Sequence, residues 1–144
     1  MAITSAICNS FKVEILTATH NFTASSGNTF NLALYTSSAT LNKSTTAYTT
    51  SDEVATATGY TAKGKALTSV TPVLSTDTAV CDFANVSWTS ASFTSRGCLI
   101  FNDSASSDQS VCSIDFGGDK TVTSGTFTIE FPAPSAGTAI IGIA

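Results

Sequence analysis

Apolar and polar residues change rhythm once along this chain, near residue 29. Before that point Ile3, Ile7, Phe11 and Ile15 recur every four residues, with Cys8 beside them. That is the spacing of one face of a helix. It predicts a helix to about Thr17, with Thr4 or Ser5 capping its start and Glu14 flanking the stripe. Residues 1–22 therefore read as an N-terminal helical segment. His20 stands at its end as a surface or capping residue, and Thr23–Asn28, with Gly27 inside it, reads as a turn.

From Thr29 onward the period is two, as in strands with one face buried. Phe30, Leu32 and Leu34 alternate with Asn31, Ala33 and Tyr35, and Ser37–Thr46 follows as a polar loop. Further strands are predicted around Tyr48–Val54, Lys65–Val70, Ala79–Phe83, Val86–Trp88, Gly97–Asn102 and Val111–Phe116. Thr126–Phe131 is the clearest, with Phe127, Ile129 and Phe131 on one face, and Pro132 and Pro134 stop it. A last, nearly all-apolar strand spans Thr138–Ile143. Short strands separated by Gly, Ser, Asn and Asp clusters predict a single all-β domain over residues 1–144. Its expected form is an antiparallel β-sandwich or jelly-roll-like fold with one N-terminal α-helix.

The tripeptide Asp115-Phe116-Gly117 invites a kinase reading, because that motif holds magnesium in phosphoryl transfer. Its companions are missing: there is no G-x-G-x-x-G and no G-x-x-x-x-G-K-[ST]. Gly117-Gly118 instead reads as a tight turn between two strands. Asp103-Ser-Ala-Ser-Ser-Asp108 resembles a loose calcium loop but lacks the central Gly and ligand order of an EF-hand. It reads as a hairpin tip between Gly97–Asn102 and Val111–Phe116. His20 is the single histidine and no G-x-S-x-G elbow exists, so no nucleophile has a base beside it. Of the carboxylates, Glu53 and Glu130 are the candidates on or beside strands for a glycosidase pair, and Glu130 points outward from its strand. No catalytic residue, metal site or cofactor is expected. Tyr35, Tyr48, Tyr60 and Trp88 form a possible sugar platform, though strands of this kind also need core aromatics.

Composition narrows the picture. Only 11% of residues are charged, and Ser and Thr make up roughly a third of the 144 residues, so hydroxyls must coat much of the surface. Thr-rich sequence favours strands over solvent-exposed helices. The net charge is −4 and the six cations are scattered, with only Lys63 and Lys65 close together. Nucleic acid is therefore not an expected partner. No window approaches the roughly 20 apolar residues of a membrane span, and the first residues lack a signal peptide's basic start. A soluble chain made in a cytoplasm is expected. Cys81, Cys98 and Cys112 lie in apolar strand patterns and Cys8 on the helical stripe. They read as reduced core thiols, with Cys98 and Cys112 the pair a single disulfide would join.

Several segments, taken in order, resemble one family. They are AICNSFK, NLALYTSSATL, TTAYTTSDEV, TGYTAKGKAL, DFANVSWTSASFTSRGCLIFND, IDFGGDKTVTSGTFTIEFP and AIIGIA. Together they are similar to small virion structural proteins of tailed bacteriophages. The resemblance implies a non-enzymatic β-sandwich, most simply a capsid decoration (cement) protein on the outer surface of the head. Such a protein would be made in the host cytoplasm, would bind the major capsid protein and would self-associate, with a homotrimer as the natural guess. A tail or adaptor component is the alternative within the virion, and a carbohydrate- or receptor-binding module the alternative outside that class. Lys63 and Lys65 depart from the Gly-richer loop of the family, and Cys98 stands where Ala is common. Tyr48, Tyr60, Lys63 and Lys65 are the expected partner contacts.

Overall fold

A computed structural model, describing residues 2–57 and 59–144, folds the chain into two antiparallel sheets and one short helix. Met1, within the segment expected to be helical, and Thr58 lie outside the described residues. In chain order the elements are β1 (Ala6–Ile7), α1 (Asn9–Leu16), β2 (Phe30–Tyr35), β3 (Lys65–Ala66), β4 (Ser69–Ser75), β5 (Thr78–Phe83), β6 (Val86–Asn102), β7 (Ser110–Ile129) and β8 (Ile141–Ile143). One sheet runs β1-β7-β6-β2-β3 and the other β4-β5-β8. The expected all-β sandwich with a helix near its N-terminus is the observed architecture.

The dominant feature is the β6–β7 hairpin, whose tip lies at residues 103–109 as predicted. Its two arms were expected as four separate strands. Each is continuous, because the apparent ends are bulges: the β6–β7 register shifts four times. The largest shift lies between Ser95↔Lys120 and Gly97↔Asp115, where Arg96 alone opposes residues 116–119. There the hairpin bends sharply. Eleven residues of straight strand span about 36 Å, yet the rings of Phe116 and Phe127 are 6.3 Å apart. The bend curls the far half of the hairpin over the core, so that Val86, Trp88 and Ala91 are buried with Cys98, Ile100 and Cys112.

This bend is what Asp115-Phe116-Gly117 makes. Gly117 adopts φ +76° inside β7, so the expected Gly117-Gly118 hairpin turn is corrected to a bulge. Asp115 Oδ1 accepts from Arg96 Nε at 2.9 Å and from the Gly117 N–H at 3.0 Å. The Arg96 guanidinium beside Asp115 holds its carboxyl below the usual carboxylate range. The carboxylate thus clamps a bend rather than a metal.

The N-terminal expectation is also corrected. Only Asn9–Leu16 is helical. Ile7 pairs with Cys112 in β1, and Ile3 forms a bridge to Leu41. Thr4 and Ser5 do not cap a helix. The Thr4 carbonyl accepts from Ser113 Oγ at 2.7 Å, and Ser5 Oγ accepts from the Asp115 N–H at 2.9 Å. Edge pairing with β7 satisfies these polar groups, and Ile is comfortable in extended chain, so the four-residue rhythm does not extend the helix.

Both faces of the larger sheet are covered. Phe30, Leu32 and Leu34 of β2 enter the main core, as their alternation predicts. Ala33 and Tyr35 enter a second core with Ile3, Ala39, Leu41, Leu99 and Phe101. The long segment between β2 and β3 lies over that second core and does not contain the strand expected at Tyr48–Val54. It meets the sheet through isolated bridges such as Tyr35↔Glu53 and Ala47↔Gln109, and through hydrogen bonds to β2 and β7 such as those from the Val54 N–H to the Leu34 carbonyl and from the Ser110 N–H to the Thr46 carbonyl. The expected strand Lys65–Val70 divides, β3 going to one sheet and β4 to the other. Pro72 sits in edge strand β4 where the pairing to β5 shifts register, a place that tolerates a missing donor. Thr138–Ile143 shortens to β8.

All four cysteines are free, and Cys8, Cys98 and Cys112 are buried. Burial raises the Cys98 thiol well above its ordinary value and pushes Cys112 up to about 12 and Cys81 up to about 11. A thiol reagent at pH 8 is therefore expected to leave Cys8, Cys98 and Cys112 unmodified in the native protein. Half-buried Cys81 should react slowly, and all four cysteines rapidly in denaturant. Fast native labelling of Cys98 or Cys112 would contradict this packing.

Candidate functional site

The largest cluster of polar side chains gathers where the β2–β3 segment meets the hairpin tip. At its centre Glu53 accepts three hydrogen bonds: from Tyr48 Oη at 2.6 Å, Tyr60 Oη at 2.7 Å and the Lys63 N–H at 2.8 Å. Tyr60 Oη in turn accepts from the Leu34 N–H at 2.9 Å, which ties the segment to β2. Burial, with the Glu53 hydrogen bond and charge second, pushes the Tyr48 hydroxyl up to about 12. Burial also raises Tyr60, against the backbone bond from Leu34. Both phenols therefore remain donors at neutral pH.

Lys63 extends the cluster outward. Its Nζ lies 2.9 Å from both Asp103 Oδ1 and Asp108 Oδ2. It also sits 5.7 Å from the centre of the Tyr48 ring and 5.9 Å from that of Phe101. Hydrogen bonds to Asp108 and Asp103 raise the lysine above its ordinary value. The two aspartates that resemble a calcium loop thus hold an ammonium group of their own chain. Three of the four expected contact residues, Tyr48, Tyr60 and Lys63, come together here, but they face inward partners. Tyr60 is 2% exposed and does not reach the surface. The acidic neighbours of Lys63 are internal, separated from it by 40 residues or more in sequence, so local spacing could not show them.

Lys65 lies apart. It is exposed on β3, its Nζ donates to the Ser87 carbonyl, and it sits 5.8 Å from the Trp88 ring centre. Beside it runs the outer face of the far β6–β7 ribbon. Ser87 and Thr128 pair across the strands at 2.8 Å, as do Thr94 and Thr121. Thr89, Thr123 and Thr126 are exposed on the same ribbon. The inward face of the ribbon is aromatic, with Trp88 6.1 Å from both Tyr60 and Phe127. Trp88, Tyr60 and Tyr35 are each at most 2% exposed, so three of the four rings named for a sugar platform are core residues, and the fourth, Tyr48, is half-buried against Phe101.

His20 proves to be buried, not a surface or capping residue: its side chain is fully covered. Nε2 lies 2.7 Å from Glu14 Oε2, and Nδ1 lies 3.2 Å from Asn102 Nδ2. A carboxylate only accepts and an amide nitrogen only donates, so Nε2 carries the proton and Nδ1 accepts. The imidazole is a tie between the end of α1, β6 and the Phe11, Phe22 and Phe30 rings. No nucleophile lies among its partners. Glu130 is exposed, as expected.

An apolar groove of about 470 Å³ opens on the concave side of the bent hairpin, between Phe116, Phe127, Ile129, Phe131 and Ile140. Among the described residues, no three His, Cys, Asp or Glu side chains converge as metal ligands would. The cluster's chemistry is that of a latch. Lys63→Met keeps the stem over Tyr48 and Phe101 but leaves Asp103 and Asp108 unpaired. An exposed pair of this kind is worth about 1 kcal/mol or less, so a loss of that size is expected in urea denaturation at low salt, shrinking with added salt. Because the folded lysine is raised, its contribution is complete below the usual lysine range near 10.4 and is lost only as pH climbs beyond it. A salt-independent loss of several kcal/mol would contradict the latch. In comparison with known proteins, no family model, no curated sequence and no solved structure matches this chain.

Proposed function

We propose that this chain is a non-enzymatic structural protein of a tailed-phage virion, a decoration protein that staples adjacent major capsid subunits on the outer surface of the head. The observation that carries the reading is the collinear run of segments from AICNSFK to AIIGIA that resembles such proteins. The way the fold uses its polar groups supports it. Glu53, Tyr48, Tyr60, Lys63, His20, Arg96 and Asp115 bond one another or the backbone. What faces outward along the far ribbon is a sparsely charged hydroxyl surface. Such a surface docks with little charge desolvation.

A decoration protein occupies many equivalent sites, each with an interface of order 1,200–2,000 Å². Bridging neighbouring subunits adds avidity, and binding only the assembled shell stabilises it by mass action. The test is copy number per purified particle, by quantitative mass spectrometry against the major capsid protein. Hundreds of copies are expected. About six or twelve copies, the multiplicity of a portal or tail ring, would move the chain to the tail or adaptor reading. Absence from the particle would overturn both.

A further inference from the structure

Six large apolar side chains are exposed among the described residues: Val13, Leu16, Val70, Val73, Leu74 and Ile143. Two pairs of them lie beside opposite charges. On α1, with about 100° between successive residues, Lys12, Leu16 and Val13 fall within an arc of about 100°. Phe11 and Ile15 pack inward on the other side. Val13 is 64% and Leu16 86% exposed, which is unusual for the outer stripe of so short a helix. Lys12 Nζ reaches Asn9 Oδ1 at 3.2 Å, and no carboxylate of the described residues pairs with it.

On β4, Val70 is paired with Asp82 and Val73 with Val80, so these four share one face of the smaller sheet, on which Val80 is buried while Val70 and Val73, on the edge strand, are exposed. Residues 66–95 hold Asp77 and Asp82 but no Lys or Arg. Neither aspartate has an ion-pair partner among the described residues. The helix stands on the opposite side of this sheet. Ile15 and Phe22 line a groove with Pro72, Ala79 and Cys81, whose β5 members alternate with Val80 and Asp82. The apolar-basic stripe and the apolar-acidic face therefore point away from each other and cannot meet within one chain.

We propose that they meet between copies: the Lys12–Val13–Leu16 stripe of one chain docks on the Val70–Val73–Asp82 face of the next, with Lys12 against Asp82. The two patches differ, so the contact is heterologous and repeats head to tail. It closes into a ring when the rotation per copy allows it. Apolar burial supplies the attraction, and the charge pair sets the register. The contact specifies the self-association in the decoration reading and rests on that reading only for its setting.

The test is sedimentation velocity of the full chain over a roughly hundredfold range of concentration, where mass action reveals weak association. The variants are Lys12→Glu, Asp82→Lys, their double reversal, and Leu16→Ser. Concentration-dependent oligomers are expected for the wild type, weakened about tenfold or more by each single change and restored by the double reversal. Lys12 and Leu16 are exposed and Asp82 is half-buried on β5, and circular dichroism checks that each variant folds. Should Asp82→Lys not fold, Lys12→Glu and Leu16→Ser carry the same readout. A chain that stays monomeric, or oligomers indifferent to these changes, would overturn the contact, the latter pointing to pairing through the free edge of β8. Failure here with hundreds of copies per particle leaves the virion reading standing. Rescue by charge reversal in a chain absent from particles does the reverse.

Discussion

Trp88→Ala should destabilise the protein by about 3–5 kcal/mol, the usual cost of emptying a buried aromatic site. The indole is 1% exposed at the centre of the far ribbon's inner face, against Tyr60 and Phe127. With Phe93, whose ring is 5.7 Å from that of Tyr60, it joins the curled half of the hairpin to the β2–β3 segment. For a domain of this size the midpoint of thermal unfolding should fall by about 10 °C or more. Trp88→Phe should cost much less, for a specific reason. Trp88 Nε1 is buried without a hydrogen-bond partner, and an unsatisfied buried donor carries a penalty of about 1–3 kcal/mol. Phenylalanine removes that donor while keeping most of the ring. A Trp88→Ala chain that unfolds at the wild-type midpoint yet loses binding to a glycan array would return the ring to the surface and revive the carbohydrate reading. The same scan therefore tests the core and decides between two classes of function.

What the sequence shows of this fold is what depends on neighbours along the chain. The alternation in Phe30–Tyr35 marks β2, and the polar run Asp103–Asp108 marks the hairpin tip. Three structural facts are hidden, each for a physical reason. Residues that usually end strands instead make bulges here: Ser90, Gly117 and Ser124 have φ of +48°, +76° and +47° within or beside paired residues. Bulges and turns draw on the same residue types, so two long strands resembled four short ones. The second core hides because the second face of β2 offers only Ala33 and Tyr35, and its other members, among them Ala39 and Leu41, come from outside the strand. The latch hides because Lys63 meets Asp103 and Asp108 only after the hairpin has returned to the β2–β3 segment. Composition did foretell the hydroxyl ribbon, since so many Ser and Thr residues in strands leave few other side chains to face outward.

Gly64→Ala should cost about 3–5 kcal/mol, and a comparison with Gly117→Ala shows why the figure is large. Both glycines have positive φ, +65° and +76°, and alanine in that region costs about 1–2 kcal/mol from backbone strain alone. At Gly117 nothing lies within 4 Å of an added Cβ, so strain is the whole penalty. At Gly64 the Cβ would stand 1.8 Å from the Leu32 carbonyl oxygen, 2.7 Å from its carbon and 2.9 Å from Ala33 Cα. Those atoms belong to β2, which is paired with β6 and packed on both faces, so they cannot yield. The loop must move instead. Movement separates β3 from Asn31 and Leu32, with each lost backbone bond worth about 0.5–1.5 kcal/mol. It also shifts Lys63, whose N–H donates to Glu53 and whose ammonium holds the hairpin tip. Lys63 already sits at φ +71°, so the two residues form one strained corner that glycine makes possible. Urea denaturation of the two alanine variants side by side checks this. Equal losses would mean that β2 gives way, and that the corner does not hold the β2–β3 segment against the sheet.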